Sequence, residues 1–166
     1  MKRFILLSII ILTYGITLAQ DVKFQAMSVY NFTRTLQWSS DYQKGNFVIS
    51  FIGESDLLKE LEEFSEDKKV RGEQKIVIQK VDINNLGKSH IIIISMSETS
   101  KLGEVLLSQV GKCSLIVTEE GNQTSNGAGV SFSKENGSVK YEYNTANIKK
   151  QGISVSTSFK QIGIEK

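Results

Sequence analysis

An α/β fold, with a mostly parallel sheet flanked by helices and ending in a C-terminal β-hairpin and a short terminal helix, is predicted by three observations on this 166-residue chain. Phe47–Ile52 and Ile91–Ile94 are apolar runs with almost no polar alternation, which suits strands covered on both faces. Segments of helical periodicity separate such runs in the order strand, helix, strand, strand, helix, strand, the grammar of a parallel sheet layered by helices. Past residue 129 the pattern turns to simple alternation on either side of Asn136-Gly137, a pair that readily takes the positive φ of a hairpin turn.

The chain opens with Met1-Lys2-Arg3, a cationic start, followed by an almost wholly apolar stretch over residues 4–18. Thr17-Leu18-Ala19 then supplies small residues at both positions that a signal peptidase reads. Residues 1–19 therefore predict a secretory signal peptide, and residues 20–166 a single domain. A stretch this short falls below the roughly 20 residues of a comfortable membrane span. Removing it takes Lys2 and Arg3 and lowers the basic count from 20 to 18, equal to the 18 acids. A neutral chain without a basic cluster carries no footprint for nucleic acid, and no membrane span is expected after cleavage.

Residues 22–38 predict a helix, with Val22, Ala26, Val29, Tyr30 and Leu36 as apolar positions and Phe32 and Trp38 as flanking aromatics. Lys44-Gly45-Asn46 breaks it ahead of a strand over 47–52. Ser55 or Asp56 is placed to cap a helix over 57–64, where Leu57, Leu58, Leu61 and Phe64 recur at helical spacing. Strands are expected over 75–81 and 89–95, a helix over 98–110 with Leu102, Val105, Leu106 and Val110 on one side, and a further strand over 113–118. Residues 121–129, rich in Gly, Asn, Ser and Thr, read as a loop. The hairpin pairs 130–133 with 139–143, and a helix over 144–151 stops at Gly152.

One Cys, one His and no Pro remove much chemistry at once. An intramolecular disulfide, a Cys-cluster zinc site and a multi-His centre are all excluded. Gly87-Lys88-Ser89 ends like a phosphate loop, but Asp82 stands where its first Gly is needed and the segment precedes a strand. Gly127-Ala128-Gly129 lacks the third glycine of a dinucleotide site. His90 and Cys113 begin neighbouring strands, the least that thiol catalysis requires, yet sites in such sheets lie at the opposite, carboxyl edge. No catalytic, cofactor-binding or metal-ligating residue is predicted, and the chain is read as a non-enzyme needing no cofactor. At the carboxyl ends Glu54, Ser55, Asp56, Ser95 and Ser97, with Glu119 and Glu120 nearby, form an acidic, hydroxyl-rich rim fit for a small ligand.

The ordered set of motifs resembles the YfiR-like family of periplasmic proteins. Tyr30-Asn31-Phe32 with Leu36 and Trp38 is similar to its opening helix, and residues 48–53 to its first strand. Val70-Arg71-Gly72 resembles the step before its second strand, and Ser89-His90-Ile91 through Ser95 its Cys-His-initiated strand. The segment 127–132, Tyr141-Glu142-Tyr143-Asn144 and Gly152-Ile153 with Val155-Ser156 follow in register. The chain departs from the pattern at Ser39, where the family has Pro after Trp, and at Ser89, where it has Cys. Regulation by an intramolecular disulfide, implied for cysteine-bearing members, is closed to a monomer of this chain.

The resemblance implies a dimeric, non-catalytic periplasmic regulator that represses a membrane signalling enzyme such as a diguanylate cyclase, lowering cyclic-di-GMP and biofilm formation. Its partner is then the periplasmic part of that membrane protein, with Tyr30, Phe32 and Trp38 as contact candidates. The alternative expectation is a periplasmic small-molecule binding module feeding a sensor kinase or an uptake system through the acidic rim.

Overall fold

Apolar strands that bury both faces need cover on both sides, and the chain supplies it unevenly. The computed structural model describes residues 2–166, with side chains from Ala19 onward, so the side chains of the predicted leader lie outside it except for Ala19. In chain order the elements are α1 (Lys2–Thr35), β1 (Leu36–Gln37), β2 (Phe47–Ile52), α2 (Asp56–Ser65), β3 (Lys69–Val70), β4 (Gln74–Lys80) and β5 (Ile91–Ile94). They continue with α3 (Leu102–Ser108), β6 (Leu115–Thr118), β7 (Val130–Glu135), β8 (Ser138–Tyr143), α4 (Thr145–Lys150), β9 (Ser154–Val155), α5 (Thr157–Lys160) and β10 (Ile164–Glu165). Among the described residues no helix is long and apolar enough to cross a membrane.

The main sheet has the order β10-β8-β7-β6-β5-β2-β4-β3, and β1 pairs with β9 in a separate two-stranded ribbon. The pairs β4-β2-β5-β6-β7 and β8-β10 are parallel, while the hairpin β7-β8 and the edge pair β3-β4 are antiparallel. One face packs α1, α2 and α5 through Val29, Phe32, Leu57, Leu61 and Phe159 against Ile49, Ile93, Val117 and Tyr141. The other face is smaller, with Leu102 and Val105 of α3 against Ile92, Ile94 and Ile116. All four residues of β5 are buried for this reason.

Local chemistry explains the boundaries. Ser55 caps α2 by accepting from the Leu57 amide, and Leu57 and Leu61, one turn apart, fill the core. Asn136 and Gly137 take φ of 51° and 80°, the two left-handed positions the hairpin turn demands. Across that hairpin Val130 opposes Tyr143 and Phe132 opposes Tyr141 on one face. Asn144 caps α4 through the Asn147 amide.

Several boundaries differ from the periodicity. The opening helix stops at Thr35 rather than 38, because Leu36 and Gln37 leave it to pair with Val155 and Ser154. The helix expected over 98–110 is a 3-10 turn, Met96–Lys101, followed by the short α3. Val110 lies past the end of α3 and is exposed, not on its inner side. The strand over 89–95 is regular only through Ile91–Ile94, although its flanks still bond: the His90 amide donates to Val48 O and the Ser95 amide to Ile52 O. Likewise 113–118 shortens to β6. The two-residue strands β1, β9 and β10 are set by partners distant in sequence, which no local period reports, while β3 pairs with the nearby start of β4.

Candidate functional site

Two edges of the sheet hold the residues that chemistry would use. At the amino edge His90 immediately precedes β5, and both of its ring nitrogens are engaged. Its Nδ1 accepts from the Val48 amide at 3.0 Å, and its Nε2, 2.7 Å from Tyr42 O, donates there. This arrangement selects the neutral tautomer protonated at Nε2. The ring stacks on Phe47 at 4.2 Å between centroids and meets Tyr42 edge-on at 5.2 Å. Burial is the main cause that holds the imidazole below its usual pKa, and the Lys88 cation adds to it. Trp38 Nε1 closes the cluster by donating to His90 O at 3.1 Å.

The Cys113 thiol donates instead to Gly152 O at 3.1 Å. With both His90 nitrogens occupied elsewhere, the two side chains form no nucleophile–base pair. Among the described residues no group of three or more His, Cys, Asp or Glu is placed to hold a metal ion.

The carboxyl edge is shaped by topology. From β2 the chain runs through α2 to β4 on one side, and from β5 it runs through α3 to β6 on the other, so the strand order reverses between β2 and β5. Crevices of open α/β sheets form at such a switch point. Here Gly53, with φ of 92°, lets the β2 loop approach so closely that a Cβ would collide with Ser95 Oγ and stand 2.6 Å from Glu98 Cγ. Gly53 and Ser95 thus meet closely across the switch point, and two clefts open along the rim.

The outer cleft, about 450 Å³, is lined by Glu54, Lys80, Asp82, Ser97, Glu98 and Lys101. Its charges pair with one another: Glu54 with Lys80, and Glu98 with Lys101 at 2.8 Å. The inner cleft, about 360 Å³, lies between α1 and the sheet. Asp56, Glu119, Gln25 and Lys134 supply its polar groups, and Val22, Leu57, Met96 and Val139 its apolar wall. Ser55 Oγ donates to Glu119 Oε1 at 2.6 Å while capping α2, and Lys134 pairs with Asp21 at 2.7 Å. Burial raises the Glu119 pKa, with the Asp56 carboxylate adding to the rise and the Ser55 hydroxyl and Met96 amide opposing it.

Of the rim residues the sequence singles out, Glu54 and Ser97 line the outer cleft and Ser55 and Asp56 the inner one. Ser95 lines neither cleft; it is buried, with its Oγ 3.1 Å from Ser97 Oγ. The aromatic candidates divide otherwise. Phe32, 1% exposed, packs among Phe132, Tyr141 and Phe159, and Trp38, 5% exposed, lies against Phe47 and His90. Neither presents a surface to a partner, because each fills the sheet face that α1 covers. Tyr30 is half-buried, edge-on to Phe64 with Lys68 over its ring. Lys80, Asp82 and Lys101 of the outer cleft are not among the residues the sequence singles out for a site; their signal is position, since Lys80 ends β4, Asp82 follows it, and Lys101 lies in the turn after β5.

A family model described as YfiR/HmsC-like matches residues 22–162, which takes in every strand up to β9 and reaches to within two residues of β10. No curated protein matches the chain.

Proposed function

The chain belongs to the YfiR/HmsC-like family, and on that premise we propose that it is a periplasmic regulator of cyclic-di-GMP signalling that binds and represses a membrane signalling enzyme such as a diguanylate cyclase. The observation that carries this reading is the extent of the family match, residues 22–162, nearly all that follows the leader. Residues 1–19 act as a secretory signal, cleaved after Ala19 to free one domain from residue 20 onward, which works as a homodimer. Regulation follows from differential binding: the chain shifts its membrane partner only as far as it prefers the inactive state. No catalytic residue is assigned, since His90 and Cys113 are spent on backbone carbonyls and amides. The test is in-cell crosslinking: a membrane cyclase should be recovered with the tagged chain, and recovery of soluble partners alone would refute the reading.

A second reading is favoured by the inner cleft. A half-buried carboxyl, Glu119, beside Asp56 and an apolar wall suits a small cationic or hydroxyl-bearing molecule, as in a binding module that feeds a sensor kinase or uptake system. Thermal-shift screening of amines and amino acids tests it; no shift in the chain that responds to Glu119→Gln would remove it.

A further inference from the structure

A leader cut after Ala19 makes Gln20 the first residue of the mature chain. Within a chain the nitrogen of a glutamine is an amide and does not react. At a chain start it is an amine, and the carbonyl carbon of its own side chain lies within reach of an unstrained lactam ring. Neither neighbour has this chemistry: Ala19 carries no side-chain carbonyl, and Asp21 would have to close a smaller, strained ring. The outcome is therefore tied to cleavage at one bond.

The structure leaves that residue open to the reaction and suits its product. Gln20 lies in α1 and is exposed. Once the leader is gone it stands in the first turn of the remaining helix, whose first amides have no intrahelical acceptor and where the ring of a proline is favoured. A lactam ring there leaves the helix intact. A free ammonium fits less well, since it sits at the positive end of the helix dipole. It would also compete with Lys134 for Asp21, a pair now 2.7 Å apart. Asp56, Glu60 and Glu63, which line a cleft with Ala19, favour the ammonium and slow the reaction. They do not stop it, because an ordinary α-amine, with a pKa of about 7.7–8.0, keeps an unprotonated share at neutral pH, and the ammonia that leaves is lost to solvent.

We propose that Gln20 is a modification site, closing to an N-terminal pyroglutamate once the leader is cut. The α-amine attacks the side-chain Cδ and a C–N bond forms. The bond from Cδ to Nε2 breaks, and the side-chain nitrogen departs as ammonia with a proton from the amine; nothing is oxidised or reduced. The mature start is then neutral, and Lys134 keeps Asp21, which with Val22 and Gln25 forms the α1 side of the inner cleft. This rests on the leader reading and names its chemical end point.

The test is made on the full chain with its leader, produced in a secreting bacterium and recovered from the periplasm. Its N-terminal peptide should begin at residue 20, weigh one ammonia less than the encoded peptide, and resist stepwise N-terminal sequencing until a pyroglutamyl peptidase exposes Asp21. Gln20→Asn, which cannot close the ring, should be cut at the same bond and be sequenced directly from its first residue. An open Gln20 start that persists through days of incubation at neutral pH refutes the modification and leaves the leader reading standing. A blocked start in Gln20→Asn refutes it as well, since the block is then another group. A chain that keeps residues 1–19, or begins elsewhere than residue 20, refutes the leader reading and the modification with it.

Discussion

The two edges of one sheet differ in what their polar groups are doing. At the amino edge the side-chain nitrogens of Trp38 and His90 are all bonded to backbone groups, in a cluster packed with aromatic rings. At the carboxyl edge charged groups line open clefts and mostly pair with one another. The contrast teaches that residue type is a poor guide to role here. The single His and single Cys are held by backbone hydrogen bonds, while serines and carboxylates border the open clefts.

Breaking the filled edge should cost most. Trp38→Ala removes a buried ring and leaves His90 O without its indole donor, so a loss of about 3–5 kcal/mol is expected, read as a fall in the urea midpoint. At the open edge the comparable weak point is Gly53. Gly53→Ala meets both a positive φ and a collision with Ser95, and should cost about 1–3 kcal/mol, with the outer cleft perturbed in amide spectra. A Gly53→Ala loss as large as that of Trp38→Ala would erase the distinction between the edges.

The edges also titrate in opposite senses. His90 is held below its ordinary value of 6.5, so the unfolded chain takes up a proton first as pH falls. Stability should then decline below about pH 6.5, a decline that His90→Gln, less stable overall, lacks. Glu119 is held above its ordinary value of 4.5, so its charged form costs stability, and that cost grows as pH rises from 4.5 through the folded pKa. Glu119→Gln, which can keep the Ser55 hydrogen bond, should raise the midpoint slightly at neutral pH. Lys80→Ala, breaking an exposed pair with Glu54, should change stability by less than about 1 kcal/mol.

The sequence disclosed whatever depends on local periodicity or local chemistry. The fully buried strands followed from unbroken apolar runs, the hairpin from Asn136-Gly137, and the α2 cap from Ser55. Hidden were features set at long range. Trp38 leaves its predicted helix because β1 finds β9 more than a hundred residues away, and the ring then turns inward to His90. Phe32 was legible as a helical aromatic, but its inward face is set by Phe132 and Phe159, far along the chain. The close approach of Gly53 to Ser95 joins the ends of β2 and β5 across the switch point, neighbours that only the strand order brings together. Val110 was misplaced because a regular helix over 98–110 would turn it inward, whereas α3 ends at Ser108.

The central claim, that this chain restrains cyclic-di-GMP synthesis from the periplasmic side, is tested most directly by measuring intracellular cyclic-di-GMP in a strain lacking it and in that strain supplied with it again. The account predicts a rise on deletion and a return to the starting level when the intact chain, leader included, is restored. An unchanged level in the deletion strain would contradict it.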